Sequence, residues 1–339
     1  MDLNTVWFLL IGVLLTGYAI LDGFDLGVGV LHLFAKDEHQ RRVHLHAIGP
    51  VWDGNEVWLL TAGGAMFAAF PVVYATVFSG FYLAFMLLLF GLIFRAVSLE
   101  FHGQVDSPGW RRFWDWAFGL GSLVPALLFG VAIGNVLRGL PIEADGTLDV
   151  SFFALLNPYA LLIGVLGLVM FVMHGAAYLA ARTEGELQQR MARCTTAAWV
   201  AFVVFYLLAT VSTFFVAPFL VKGIWARPLL WILLALLFIA VVYIPIATRT
   251  GKHLRGFLAS SVTIASLIGV MGLSLYPRMV PSSLDVANHS LTIYNASSTP
   301  RTLTVMLVIA LIGMPLVLGY TAFIYTLFMG KVVLTKEGY

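Results

Sequence analysis

Leu21-Asp22-Gly23-Phe24-Asp25-Leu26-Gly27-Val28-Gly29 is followed, after a basic loop, by Gly49-Pro50-Val51-Trp52-Asp53-Gly54-Asn55-Glu56-Val57-Trp58. Four carboxylates therefore stand inside or against apolar runs. The first run begins within a few residues of Met1, and the second continues through Thr61-Ala62-Gly63-Gly64 to Phe70. An acid at the centre of a membrane helix costs roughly 3 kcal/mol even on lenient insertion scales. It persists where it faces a bundle interior, water or a partner. Asp22, Asp25, Asp53 and Glu56 thus mark a polar site in a membrane-embedded chain.

The composition agrees. Of 339 residues, 60% are hydrophobic and 11% charged, whereas soluble domains carry about 25% charged residues. The expected class is all-α: a polytopic helix bundle forming one integral membrane domain over residues 1–339, in two helix bundles plus a peripheral helix. A net charge of +2 gives no reason to expect a nucleic-acid partner. The single cysteine, Cys194, excludes an internal disulfide or a thiolate metal cluster. The first apolar run has no basic leader and no small-residue cleavage site before Asp22, so it reads as a helix rather than a signal peptide.

Apolar windows of about 20 residues place nine spans at 5–31, 50–70, 72–94, 114–137, 157–180, 196–217, 228–247, 257–277 and 302–329. The second and third meet at Phe70-Pro71. Lys and Arg then segregate: all of the 19 except Arg138, Lys222, Arg227, Arg278 and Arg301 follow odd-numbered spans, with Arg95 and Lys336 counted among the majority. By the positive-inside rule the N-terminus lies outside and the C-terminus in the cytoplasm. Merging spans two and three would scramble this segregation. Pro125, Pro245 and Pro315 fall within spans, which membrane helices tolerate. Glycines 27 and 29, 63 and 64, and 119 and 121 are expected at close helix contacts.

Asp22 and Asp25 share a helix face at i, i+3 spacing, and Asp53 and Glu56 repeat it at the cytoplasmic start of span two. The four acids suit proton relay or cation holding; the plainer alternative is helix capping with pairing to Arg41 or Arg42. Trp52 and Trp58 flank the second pair and read as interfacial anchors, as do Trp110, Trp114 and Trp116 beside Arg111 and Arg112. Asp115 reads as a first-turn acid. His32, His39, His44, His46, His102 and His253 are expected at solvated span ends, which leaves His174 as the lone intramembrane histidine. No Walker loop, dinucleotide fingerprint, zinc-protease motif or nucleophile elbow is present.

These motifs resemble subunit II of cytochrome bd-type quinol oxidases. The likeness covers Gly17 to Gly29, Pro50 to Gly64, Phe113-Trp114-Asp115-Trp116, Gly121-Ser122-Leu123-Val124-Pro125 and Gly134 to Gly139. It continues through Leu156-Asn157-Pro158, Arg182 to Leu187, Val280-Pro281-Ser282-Ser283 and Asn295-Ala296-Ser297-Ser298. The resemblance implies a subunit of a quinol:oxygen oxidoreductase in the bacterial inner membrane. Such a complex oxidises quinol, reduces dioxygen to water and takes protons from the cytoplasm without pumping. Haem b, haem d and the quinol-oxidation site are then expected in the partner, subunit I, with no catalytic residue or metal in this chain. Small accessory single-helix subunits and a structural quinone occur in some relatives. Asp53 matches an acid on the family's proton route, with Trp52 beside it; Glu56, Asp22 and Asp25 complete the candidate set. The rival reading from the acids alone is a stand-alone proton-coupled secondary transporter, and a third is a pure assembly partner.

Overall fold

A computed structural model of the chain describes residues 2–328 and 330–334. Lys336, counted above among the cytoplasmic charges, lies outside the described residues. Helix α1, Leu3–His32, starts where Asp2 accepts a bond from the Thr5 amide. Helix α2, Glu38–Ile48, follows with Asp37 capping Gln40. Then come α3 (Trp52–Ala69), α4 (Pro71–Gly80), α5 (Tyr82–Phe101), α6 (Pro108–Arg138) and a single turn, α7 (Phe152–Leu155). The second half holds α8 (Pro158–Arg182), α9 (Gly185–Val216), α10 (Pro228–Arg249), α11 (His253–Leu275) and α12 (Pro300–Leu327), with a two-stranded antiparallel pair, β1 (Arg278–Val280) and β2 (Leu291–Thr292), before α12. Five of these helices open on proline. The first helical position needs no amide donor, and the fixed φ is already helical.

Eight of the described helices are long and apolar enough to cross a membrane, and a bent pair brings the number to nine. That pair, α3 and α4, turns through 120° at Phe70, whose side chain is wholly buried. The expected third span, 72–94, is therefore displaced. Pro71 starts a ten-residue helix that is too short to cross, and α5 makes the crossing over Tyr82–Phe101. The shift moves Arg95 from a loop into a helix, so it does not belong among the loop charges. The stretch read as a basic loop also folds, into α2, whose Val43, Leu45, Ala47 and Ile48 are buried. Helices α6, α10 and α12 run unbroken through Pro125, Pro245 and Pro315.

Glycine sets the closest helix approaches. A Cβ on Gly27 would collide with the Phe171 carbonyl of α8, and one on Gly175 would sit 2.6 Å from the Gly27 backbone. On α6, a Cβ at Gly121 would come within 2.8 Å of the Arg95 amide. Gly29 and Gly119 are similarly crowded, but Gly63 and Gly64 face open space. Among the described residues nothing packs against α3 at these two glycines, so the expected close contact is not made there.

The end of the bundle far from α2 is closed by loops. The Leu140 amide donates to Pro281 O (2.9 Å) and the Ser283 amide to Leu140 O (2.8 Å), while the Ser298 amide reaches Ala69 O (2.8 Å) at the α3–α4 corner. Leu140, Ile142, Val280, Leu291 and Ile293 pack there with Trp7, Phe70 and Phe81. The opposite end, near α2, holds the polar residues.

Candidate functional site: two buried carboxylate networks

Asp22 and Asp25 lie on the inner face of α1, both fully buried. Close α1–α8 packing at Gly27 and Gly175 fixes one side of this face. On another side the Gly121–α5 contact brings in Arg95, also fully buried. The Arg95 guanidinium makes a two-pronged bond to Asp22: Nη1 donates to Oδ2 at 2.8 Å and Nη2 donates to Oδ1. An isolated buried charge would be untenable, and the bidentate geometry compensates it.

Asp25 takes a different partner. Asn55 of α3 donates through Nδ2 to Asp25 Oδ2 (2.7 Å) and to the Leu21 carbonyl (3.1 Å), and its Oδ1 accepts from the Tyr325 hydroxyl of α12 (2.8 Å). Asp25 Oδ1 and the Tyr18 hydroxyl are buried with no hydrogen-bond partner. The chain Tyr325–Asn55–Asp25, one turn from Asp22–Arg95, is a continuous buried polar path with acceptor capacity to spare.

The second acid pair sits differently. Asp53, in the first turn of α3, is exposed, and no hydrogen bond to it is found in the structure. Glu56 is half-buried, three residues on and one beyond Asn55. Trp52 is half-buried against the cluster containing Val51 and Tyr178. Trp58 is not an interfacial anchor: it is only 7% exposed, with its ring filling the space beside Gly17 of α1. Of the capping alternative, the first-turn acid is present in Asp53, but α3 has no side-chain cap and Arg41 binds Asp115.

Arg41 belongs to a second network that the sequence reading missed. Asp115 is not a first-turn acid, because α6 begins at Pro108. It is buried, and its Oδ1 accepts from His32 Nε2 (2.8 Å) and His102 Nε2 (3.1 Å), while Oδ2 accepts from Arg41 Nη1 (2.9 Å). Helices α1, α2 and α5 thereby converge on α6. His32 and His102, expected in solvated positions, are buried, as is Trp114, which packs on Phe101, Trp110 and Phe113. The available signal was an acid a full two turns inside an apolar helix, flanked by rings that cannot all face lipid.

His174 bonds Ser260 Oγ through Nδ1 (2.6 Å) and the Ile20 carbonyl through Nε2 (3.0 Å), and stacks on Phe257. Both ring nitrogens are engaged, and His32 and His102 both point their Nε2 at Asp115. These histidines do not fit axial ligation of a haem. Among the described residues, no group of three or more His, Cys, Asp or Glu is arranged to hold a metal ion.

The sequence model of the family described as cytochrome bd terminal oxidase subunit II matches residues 3–328. The chain belongs to this family. Subunit 2 of the cytochrome bd-I ubiquinol oxidase of Escherichia coli K12 is 40% identical over 366 residues, covering 99% of this chain and 96% of the relative. Subunit 2 of the cytochrome bd ubiquinol oxidase of Bacillus subtilis 168 is 38% identical, covering 98% and 97%. A chain of the bd oxidase of Geobacillus thermodenitrificans superposes with a TM-score of 0.81 at 17% identity, covering 97% of this chain and 99% of that one, a likeness of fold. The protein is thus a multi-pass subunit of a haem-containing terminal oxidase in the bacterial inner membrane, with a subunit I partner. Family membership displaces the stand-alone transporter reading.

Proposed function

We propose that this chain scaffolds subunit I of a bd-type quinol oxidase and lends it part of a proton route that begins at Asp53. The observation that carries this reading is the face of α3. Asp53, Val57, Leu60, Gly64 and Phe67 are all exposed along one stripe, and Gly54, Gly63 and Gly64 leave open space where a second backbone can approach. An acid on such a stripe is unfavourable in lipid but well placed at a subunit boundary. Glu56 and Asn55 lie on the inward side of the same turn and lead from Asp53 toward Asp25 and Asp22. Trp52 shields the start of the route.

In this reading quinol oxidation and haems b and d reside in subunit I, and His174, with both ring nitrogens bonded, serves packing between α8, α1 and α11. Protons are drawn from the α2 end, which is the cytoplasmic side when the N-terminus lies outside, and charge separates without pumping. The buried Asp25 carboxylate serves proton uptake, while the Asp22–Arg95 pair holds α1 to α5. A structural quinone and single-helix accessory subunits are compatible with the exposed apolar faces, and α2 acts as the peripheral helix of a single membrane domain.

The test is Asp53→Asn in the intact complex. Oxidase turnover falls by about a hundredfold or more, the usual range for losing a proton-transfer group, while the reduced-minus-oxidised haem spectrum is unchanged. Normal turnover removes Asp53 from the route; loss of haem assigns it to assembly instead.

A further inference from the structure

At the α2 end a cavity of about 330 Å³ is lined by His32, Leu33, Arg41, Arg112, Asp115 and Trp116. Its polar groups are unevenly committed. Asp115 is saturated by His32, His102 and Arg41. Arg41 Nε and His32 Nδ1 are buried and lack any hydrogen-bond partner, and His32 is only 1% exposed. The neighbouring arginines differ as well. Arg111 is held by Glu38 and Asp106, whereas among the described residues no ion pair or hydrogen bond engages Arg112. Two guanidiniums, Arg41 and Arg112, against one carboxylate, Asp115, leave the cavity lining with an excess of positive charge. Unused N–H donors and a surplus positive charge call for a singly charged oxyanion.

The surroundings narrow the choice. Trp116 at the rim is 51% exposed, and Phe113 and Leu120 continue the same α6 face at 55% and 47%. These positions are spaced by three and four residues, so an apolar track descends the helix from the cavity mouth. Free phosphate would have no use for that track, whereas an acyl chain would. Aromatic and basic side chains at a helix end are also the usual companions of headgroups.

We propose that this cavity binds the phosphodiester of one anionic phospholipid, with Arg112 and Arg41 on the phosphate and the acyl chains along Phe113, Trp116 and Leu120. The lipid would pin α2 to α6 at the base of the bundle. Nothing in this site depends on the proton route at Asp53.

Native mass spectrometry of the detergent-purified, delipidated oxidase complex, titrated with phosphatidylglycerol, tests it. The wild type and Arg111→Gln each show one saturable lipid adduct, and Arg112→Gln weakens that adduct about tenfold, the loss of one charge-assisted contact. Arg112 is exposed and makes no internal bond, so the variant folds. Inorganic phosphate at the same concentrations does not displace the lipid. Three results overturn the proposal: unchanged binding in Arg112→Gln, an equal loss in Arg111→Gln, or phosphate that competes as well as the lipid.

Discussion

Single residues at this site divide into those whose charge is paired inside the bundle and those, such as Asp53, that stand exposed on its surface. Asp22 and Arg95 are the first kind. Each is fully buried and its charge is paired with the other, so removing either leaves a naked charge in a dry interior, which costs about 3–5 kcal/mol. Asp22→Asn is expected to lower the thermal midpoint of the purified complex by several degrees. The double variant Asp22→Leu, Arg95→Leu recovers most of the loss, because two apolar groups leave nothing unpaired; differential scanning fluorimetry distinguishes the two. This pairing was not legible in the sequence. The i, i+3 spacing announced that Asp22 and Asp25 share a face, but Arg95 lies 73 residues away. A hydropathy window that placed the third span ten residues early had put it outside the membrane. Asp53 was legible, because an acid in the first turn of a membrane helix is conspicuous by its cost alone.

Among the elements, α2 shows what charge counting conceals. Its sequence, Glu38 to Ile48, is polar enough to pass for a loop, yet Asp37 caps it and its apolar side docks on α1 and α8. His44 lies on the docked side, 1% exposed, with neither ring nitrogen bonded. Burial, reinforced by His32 and Arg190, pushes its pKa from the ordinary 6.5 down to about 3. The neutral ring is therefore the docked form. The undocked helix takes up a proton below pH 6.5 while the docked helix does not, so docking is at full strength above that value. It weakens as pH falls from 6.5 toward 3. Protection factors of the α2 amides, measured against the intrinsic exchange rate at each pH, should fall by about thirtyfold on going from pH 7.5 to 5, the proton-linkage limit for one such site. His44→Phe should flatten that dependence; an unchanged slope would place its origin in another group. The same packing logic explains α3 and α4: the Phe70-Pro71 break was readable, but the 120° turn depends on the buried Phe70 corner and on Ser298, far along the chain.

At the scale of the whole molecule, the distribution of glycine separates what the chain builds alone from what it builds with a partner. The helical class, the interior prolines and the number of crossings to within one, eight or nine among the described residues, followed from hydropathy, since the cost of burying backbone in lipid leaves few alternatives. Which faces meet did not follow, because Gly27 and Gly64 look alike in sequence. In the fold they are opposites: Gly27 is wedged against the α8 backbone, while Gly64 looks into open space on the Asp53 stripe. Helix α12 adds to that open side. It is fastened by Trp7 to the Leu303 carbonyl (2.9 Å) at one end and by Tyr325 to Asn55 (2.8 Å) at the other, and among its described residues only Leu303 is buried. Gly27→Ala should thus destabilise the chain itself by about 1–3 kcal/mol, as overpacking does, with reduced membrane levels whether or not subunit I is co-expressed. On the proposed subunit boundary, Gly64→Leu should leave the amount of this chain in the membrane unchanged and abolish its co-purification with subunit I, because the added side chain fills the open space beside Gly64. If Gly64→Leu assembles normally and retains haem, lipid rather than subunit I covers the α3 stripe, and Asp53 loses its place at a subunit boundary.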